Sequence, residues 1–235
     1  MDVAFSFAGE HLQPLSCGAL FWPARSTVLV ADLHFEKASA FARKGWLLPP
    51  YDSAETLRRL IDTLERTGAR RVVCLGDSFH DAGGPARLPP GPREGLRALI
   101  ASLDWLWITG NHDDRAGAAL GGRVMPEARI GCLTLRHEAD PDEAMPELSG
   151  HFHPKVAIHH RGRRIARRCF AVSATKIILP AYGAFTGGLD VGDPAIAWVM
   201  RGTTTAWVAE GTQLLRFPVG TAPATTALAG VAPKP

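Results

Sequence analysis

Ser26-Thr27-Val28-Leu29-Val30-Ala31-Asp32-Leu33-His34 sets a short, mostly apolar run directly before an acid and an imidazole. A continuous run of this length, rich in Val and Leu, reads as a strand buried on both faces, with Asp32 where it ends. The same order returns twice. Residues 70–75, with Val72-Val73-Cys74-Leu75, lead into Gly76-Asp77, and residues 104–109 lead into Gly110-Asn111-His112-Asp113. Between them, residues 53–66 carry Leu57, Leu60, Ile61 and Leu64 at helical spacing. Asp52 or Ser53 suits the N-cap of that helix and Gly68 its stop. Residues 93–102 predict another helix. Strand, helix, strand, helix, strand implies an α/β chain with a largely parallel sheet and crossover helices. Ligand sites in such sheets collect beyond the carboxyl ends of the strands, where Asp32, Asp77 and Asn111 all fall.

The second half has a different texture. Short strand candidates occupy residues 128–136, 156–160, 168–172, 176–179, 195–200 and 204–208, punctuated by Gly and Pro, and no helix is expected there. A second sheet, mixed or antiparallel and packed on the first, accommodates them. Residues 1–217 then form one domain. Residues 218–235, dominated by Ala, Thr, Pro and Gly, bury too little apolar surface to offset their ordering entropy and are expected to be a disordered tail.

At 235 residues, 46% hydrophobic and 21% charged, the chain is long and apolar enough for a real core. A net charge of +3 does not by itself argue for nucleic acid. Cys17, Cys74, Cys132 and Cys169 show no C-x-x-C pairing, and Cys74, inside an apolar run, reads as a buried free thiol. The start Met1-Asp2-Val3-Ala4-Phe5 lacks the pattern of a signal peptide, and no apolar run approaches the ~18 residues of a membrane span. Those features point to the cytoplasm. Trp105 and Trp107 alternate along a strand and read as core.

The polar residues at the strand ends form an ordered series: Asp32 and His34, Asp77, Asn111 and His112, a lone His137, then Gly150-His151-Phe152-His153. Two carboxylates, one amide and four imidazoles can hold two divalent cations side by side, equipment suited to attack on a phosphoester. Mixed nitrogen and oxygen donors favour Mn²⁺, Fe²⁺ or Zn²⁺ over Mg²⁺. Asp32 and His34 lie two apart, so an extended segment would aim both the same way. Any one of these histidines alone would read as an ordinary hydrogen-bonded side chain; the order of the set is what carries weight.

That series, D-x-H, G-D, G-N-H-D, H and G-H-x-H, resembles the calcineurin-like metallophosphoesterases over roughly residues 26–200. The resemblance implies a four-layer α/β/β/α sandwich with the metals at one edge. It implies that Asp32, His34, Asp77 and His153 hold one metal, that Asp77, Asn111, His137 and His151 hold the other, and that Asp77 bridges them. It further implies a metal-bridging hydroxide as nucleophile and His112 facing the leaving-group oxygen. Asp113 would fix the tautomer of His112.

Further segments narrow the resemblance. Glu36-Lys37-Ala38, Phe41-Ala42-Arg43-Lys44-Gly45, Leu20-Phe21-Trp22-Pro23, Gly150-His151-Phe152-His153-Pro154 and the run from Leu179 to Gly188 look like the ligase-associated DNA-damage-response endonucleases of bacteria, the PdeM type. That family implies a Mn²⁺-dependent phosphodiesterase acting on DNA, in functional association with an ATP-dependent DNA ligase, an exonuclease and a helicase. Glu36 departs from the glycine expected in D-L-H-x-G-K; a carboxylate near the mouth would repel phosphate or bind water. Arg161, Arg163, Arg164, Arg167 and Arg168 crowd a hairpin around Gly162, which by itself reads first as a solvated tip and, beside the resemblance, as a phosphate grip. Lys37, Arg43 and Lys44 would extend a positive rim. His80 reads as a site neighbour or a surface histidine, and residues 180–188 as a wall that brings Thr186 to substrate or as a structural turn. The alternative function is a phosphatase or phosphodiesterase for small nucleotides or other small phosphoesters.

Overall fold

The computed structural model describes residues 4–113, 116–160 and 163–219. The first sheet has seven strands in chain order: β1 (Phe5–Phe7), β2 (Glu10–Pro14), β3 (Leu20–Trp22), β4 (Thr27–Val30), β5 (Arg71–Leu75), β6 (Asp104–Ile108) and β7 (Arg123–Met125). The first four pair antiparallel and the last four parallel. Parallel pairing requires crossovers, supplied by α1 (Lys37–Ala42) with α2 (Asp52–Thr67), then by α3 (Gly84–Arg87) with α4 (Pro90–Ser102). The strands at residues 26–31, 70–75 and 104–109 and the two long helices thus lie where the periodicity puts them.

The second sheet also has seven strands. It uses β8 (Glu127–Ile130), β9 (Leu133–Arg136), β10 (Glu147–Ser149), β13 (Phe170–Val172), β14 (Lys176–Ile178), β15 (Thr205–Glu210) and β16 (Gln213–Pro218), in the order β16-β15-β13-β14-β10-β9-β8. It is mixed, with β9, β10 and β14 parallel. A separate hairpin, β11 (Lys155–His160) with β12 (Arg163–Arg168), stands outside both sheets.

Period-two alternation builds the layers. Val28 and Val30 face α2 and bury against Leu57, Leu60 and Leu64, while Leu29 faces the second sheet and meets Leu133, Leu148 and Ile177. On the far side of that sheet, Ala171, Ile178 and Ala206 bury against Ile196 and Val199 of α5 (Pro194–Met200). Helices, sheet, sheet, helix: the four-layer α/β/β/α sandwich that the resemblance implies. Trp105 and Trp107 lie in the core, and all four cysteines are free, with Cys74 buried.

Several local expectations change. Residues 195–200 are a helix, not a strand, because Asp193 Oδ1 accepts from the Ala195 amide at 2.9 Å and Pro194 occupies the first turn. The run 128–136 is two strands turned at Gly131, whose φ is +61°. Neither Asp52 nor Ser53 caps α2; Asp52 accepts from the Ala38 amide and Ser53 from the Glu36 amide, satisfying the start of α1 instead. Pro218 closes β16, with Val219 after it; the rest of the expected tail, 220–235, lies outside the described residues. No helix among the described residues is long and apolar enough to cross a membrane.

Leu29 is fully buried between the sheets. Leu29→Ala should lower the unfolding free energy by about 2–5 kcal/mol, read as a shift of the denaturation midpoint at unchanged m-value.

Candidate metal centre

Each strand that borders the junction of the two sheets at one edge delivers a polar residue there. Asp32 leaves β4, Asp77 leaves β5 and Asn111 leaves β6, while His137 leaves β9 and His151 leaves β10. The backbone in this region is not extended. Asp32, His34, Glu36, Asp77, His151 and His153 have φ of 53°, 45°, 63°, 44°, 71° and 49°. Such left-handed residues cost about 1–3 kcal/mol each and persist only where surrounding structure holds them. Asp and His are among the side chains that tolerate this region best. The convergence of Asp32 and His34 therefore comes from alternating left-handed turns, not from the extended segment that their spacing suggests.

Two groups result, Asp32 with His34 and His153, and Asp77 with His137 and His151; in each, one donor atom per residue lies within 4.8 Å of the others. The groups adjoin. Asp77 Oδ2 is 4.0 Å from His34 Nε2 and 3.4 Å from His137 Nε2, so this carboxylate stands between them. His153 Nε2 is 3.3 Å from Asp32 Oδ1, and paired imidazole nitrogens face each other at 3.4 Å (His34 and His153) and 3.2 Å (His137 and His151). Asp32 Oδ1 and His34 Nδ1 are buried without a hydrogen-bond partner, an expensive condition for polar atoms. Carboxylate oxygens and imidazole nitrogens converging in this way fit a divalent cation in each group.

Other contacts aim these side chains. The His137 Nδ1–H donates to the Leu75 carbonyl at 2.9 Å, leaving Nε2 directed at Asp77. The His151 amide donates to Asp32 Oδ2 at 3.0 Å and the His112 amide to Asp77 Oδ1 at 2.9 Å. Gly76 lies so close to the His137 ring that a β-carbon would collide with it, and a β-carbon on Gly110 would strike Asp77. The G-D and G-N-H-D glycines are thus spaces for ligand side chains.

Burial drives the His34 imidazole down to about 3, so it is neutral near pH 7. Burial also disfavours charge on His137, but the hydrogen bond to Asp77 and the nearby Asp32 carboxylate outweigh it and raise the group to about 9. Ligation by His137 requires that this proton leave. Burial opposes ionisation of Asp77, yet hydrogen bonds from His137 and the His112 amide hold it well below the usual carboxylate range.

His112 sits beside the groups, half-exposed, with Nε2 3.9 Å from Asp77 Oδ2. Its Nδ1–H points to the His80 carbonyl at 3.0 Å, and the two rings stack at 5.3 Å. The His80 carbonyl, not Asp113, therefore orients the imidazole. Asp113 is buried and accepts from the Phe79 amide at 2.9 Å and the Gly110 amide at 3.3 Å, so it fastens the turn that carries Asn111. Burial, reinforced by the Asp77 charge, raises its carboxyl to about 6. Asn111 is exposed at the end of β6.

Sequence reasoning misplaced or left open three other parts. Glu36 is not at an open mouth: it is 4% exposed, and its carboxylate accepts from the Ser53 hydroxyl at 2.7 Å. Its φ of +63° explains why glycine suits that position. The segment 180–188 braces the Asp32 turn, with the Tyr182 and Gly183 amides donating to the Ala31 and Asp32 carbonyls at 2.8 and 3.1 Å. Arg168 donates to the Gly183 carbonyl at 2.7 Å and Arg59 to that of Tyr182. Thr186 donates to the Gly183 carbonyl and is buried there, which favours the structural reading. Arg163, Arg164 and Arg167 are exposed on the hairpin; Arg161 lies outside the described residues.

The family described as calcineurin-like phosphoesterase matches residues 26–165. Among solved structures, nuclease MPE of Pseudomonas putida is similar at a TM-score of 0.72 and 28% identity, over 92% of this chain and 100% of that one. Yfce, a phosphoesterase from E. coli, aligns at a TM-score of 0.44 and 16% identity, over 83% and 99% of the two chains. No curated protein matches the chain.

Gly76→Ala should push the His137 ring out of place. Isothermal titration with Mn²⁺ is expected to show affinity reduced about 10–100-fold or one site lost, while the circular dichroism spectrum is unchanged.

Proposed function

The chain belongs to the calcineurin-like phosphoesterase family and is a metal-dependent phosphoesterase, and from that premise we propose a two-metal phosphodiesterase that cuts DNA internally in a bacterial repair pathway. The observation that carries this reading is the pair of adjoining carboxylate–imidazole groups with Asp77 between them and His112 alongside. Similarity to a nuclease across nearly the whole chain supports a nucleic-acid substrate. The narrower resemblance to PdeM-type endonucleases supports DNA, Mn²⁺, and a shared pathway with an ATP-dependent ligase, an exonuclease and a helicase.

In this reading Asp32, His34, Asp77 and His153 hold one cation and Asp77, Asn111, His137 and His151 the other. Two divalent cations, when bound, lower the pKa of water to supply a nucleophile near neutral pH and neutralise charge on the phosphoryl oxygens. The remaining chemistry belongs to the chain. Asp77, ionised and central, presents Oδ2 between the two groups while its Oδ1 accepts from the His112 amide. The Leu75 carbonyl keeps His137 in the tautomer that presents Nε2. With Nδ1–H committed to the His80 carbonyl, His112 presents Nε2 toward the reacting phosphate and, when protonated, donates to the departing oxygen. Exposed arginines on the β11–β12 hairpin, which follows directly on His153, supply sequence-independent phosphate contacts.

The test is metal-free protein given Mn²⁺ and offered a labelled single-stranded DNA oligonucleotide, bis-p-nitrophenyl phosphate and mononucleotides. Mn²⁺-dependent cutting of the oligonucleotide supports the proposal; turnover of the small esters alone would make this a small-molecule phosphoesterase. Asp77→Asn should abolish turnover while the thermal transition stays cooperative, and retained activity would sink the two-metal scheme. His112→Ala should keep bound metal, measured by elemental analysis, and lose about 10²–10⁴-fold in kcat. The loss should be largest for poor leaving groups.

A further inference from the structure

Between Glu36 and Asp52 the chain carries Lys37, Arg43 and Lys44, three aromatic residues and no carboxylate. This spur, α1 and the loop after it, leads away from the metal centre. The Phe41 ring lies 5.4 Å from His80, which stacks on His112 at 5.3 Å; Lys37 Nζ is 5.8 Å from the Phe41 ring. The Trp46 amide donates to the Phe41 carbonyl at 3.1 Å, so the loop begins where that aromatic path ends.

The side chains beyond that point are exposed to a degree that folding alone does not explain. Trp46, Leu47 and Tyr51 are 70%, 89% and 69% exposed. Beside them opens a cleft of about 580 Å³ whose apolar wall is Ala38, Ala42, Leu47, Leu48 and Pro50 and whose charged lining is Glu36, Asp52 and Arg87. A cluster of large apolar side chains left in water next to such a cleft marks an interaction surface. Its charge selects the partner. The two carboxylates that line the cleft are buried and engaged, Glu36 accepting from the Ser53 hydroxyl and Asp52 from the Ala38 amide, so the exposed charge of residues 37–51 is cationic. Cations interleaved with exposed flat rings suit a polyanion that has flat faces of its own, which is the chemistry of a single nucleic-acid strand.

We propose that the 37–51 spur is a binding platform for single-stranded nucleic acid flanking the scissile phosphate on the His112 side. In it, Trp46 and Tyr51 stack bases and Lys37, Arg43 and Lys44 contact phosphates. The inference rests on the reading of the chain as a nuclease. It assigns strand selectivity to a surface about which the metal ligands carry no information, because a duplex keeps its bases stacked on one another and away from Trp46.

The experiment uses the full chain in the Asp77→Asn background, so that bound strand stays intact, with a fluorescently labelled oligothymidylate followed by anisotropy. Trp46→Ala is expected to weaken binding about tenfold and Trp46→Phe by no more than about threefold, since a ring is retained. The thermal midpoint should not move, because the indole is mostly in solvent. A Lys37→Ala, Arg43→Ala, Lys44→Ala triple variant should flatten the salt dependence by roughly 0.7 in log–log slope per contact, whereas Trp46→Ala should leave the slope unchanged. If the parent binds the strand and Trp46→Ala binds it equally well, the platform is refuted and the nuclease reading stands. Concentration-dependent sedimentation lost in Trp46→Ala would then assign the face to a second copy. If the parent fails to bind while the wild-type chain hydrolyses bis-p-nitrophenyl phosphate, the DNA reading fails and the platform with it.

Discussion

Two carboxylates, Asp32 and Asp77, sit almost without solvent where the edges of two sheets meet, and the surrounding structure answers that cost. A buried carboxylate is tolerable only with hydrogen-bond donors or positive charge close by. Asp77 receives the His112 amide and the His137 imidazole, and Asp32 the His151 amide. Even so, Asp32 Oδ1, with the His153 imidazole 3.3 Å away, accepts no hydrogen bond. The arrangement makes chemical sense when divalent cations supply the missing charge, which is what membership of the calcineurin-like phosphoesterases implies.

Holding these groups together is a matter of backbone as much as of side chains. Residues in left-handed conformations alternate through Asp32, His34 and Glu36 and recur at Asp77, His151 and His153. Strain of this kind needs bracing, and the braces come from distant parts of the chain. The segment 180–188 hydrogen-bonds to the Asp32 turn, Arg59 and Arg168 hold that segment, and Asp113 ties the Asn111 turn to the Phe79 loop. The stiff sandwich behind the site, with side chains alternating between its cores, gives those braces something fixed to pull against.

The same division accounts for the asymmetry of the molecule around the site. Most of the candidate ligands and their supports are buried or half-buried, whereas the elements that follow His34 and His153, the 37–51 spur and the β11–β12 hairpin, carry exposed cations and, on the spur, exposed rings. The metal centre is thus rigid chemistry, and the exposed elements beside it are where selection among phosphoesters is expected to reside.

The sequence by itself determined the three parallel strands at residues 26–31, 70–75 and 104–109, the long helices and the six carboxylate and imidazole residues that gather in two groups, because apolar runs, helical periodicity and short polar motifs at strand ends are local signals. What tertiary structure alone decided was everything set by contacts distant along the chain. Asp193 and Pro194 start a helix where a strand pattern stood, because a cap and an apolar neighbour outweigh an ambiguous six-residue run. Glu36 turns inward because Ser53, 17 positions on, offers it a hydroxyl. His112 takes its orientation from the carbonyl of His80 and not from its neighbour Asp113, because that carboxylate is already committed to two backbone amides. Each of those outcomes depends on which groups find one another in space, and spacing along the chain carries no record of that.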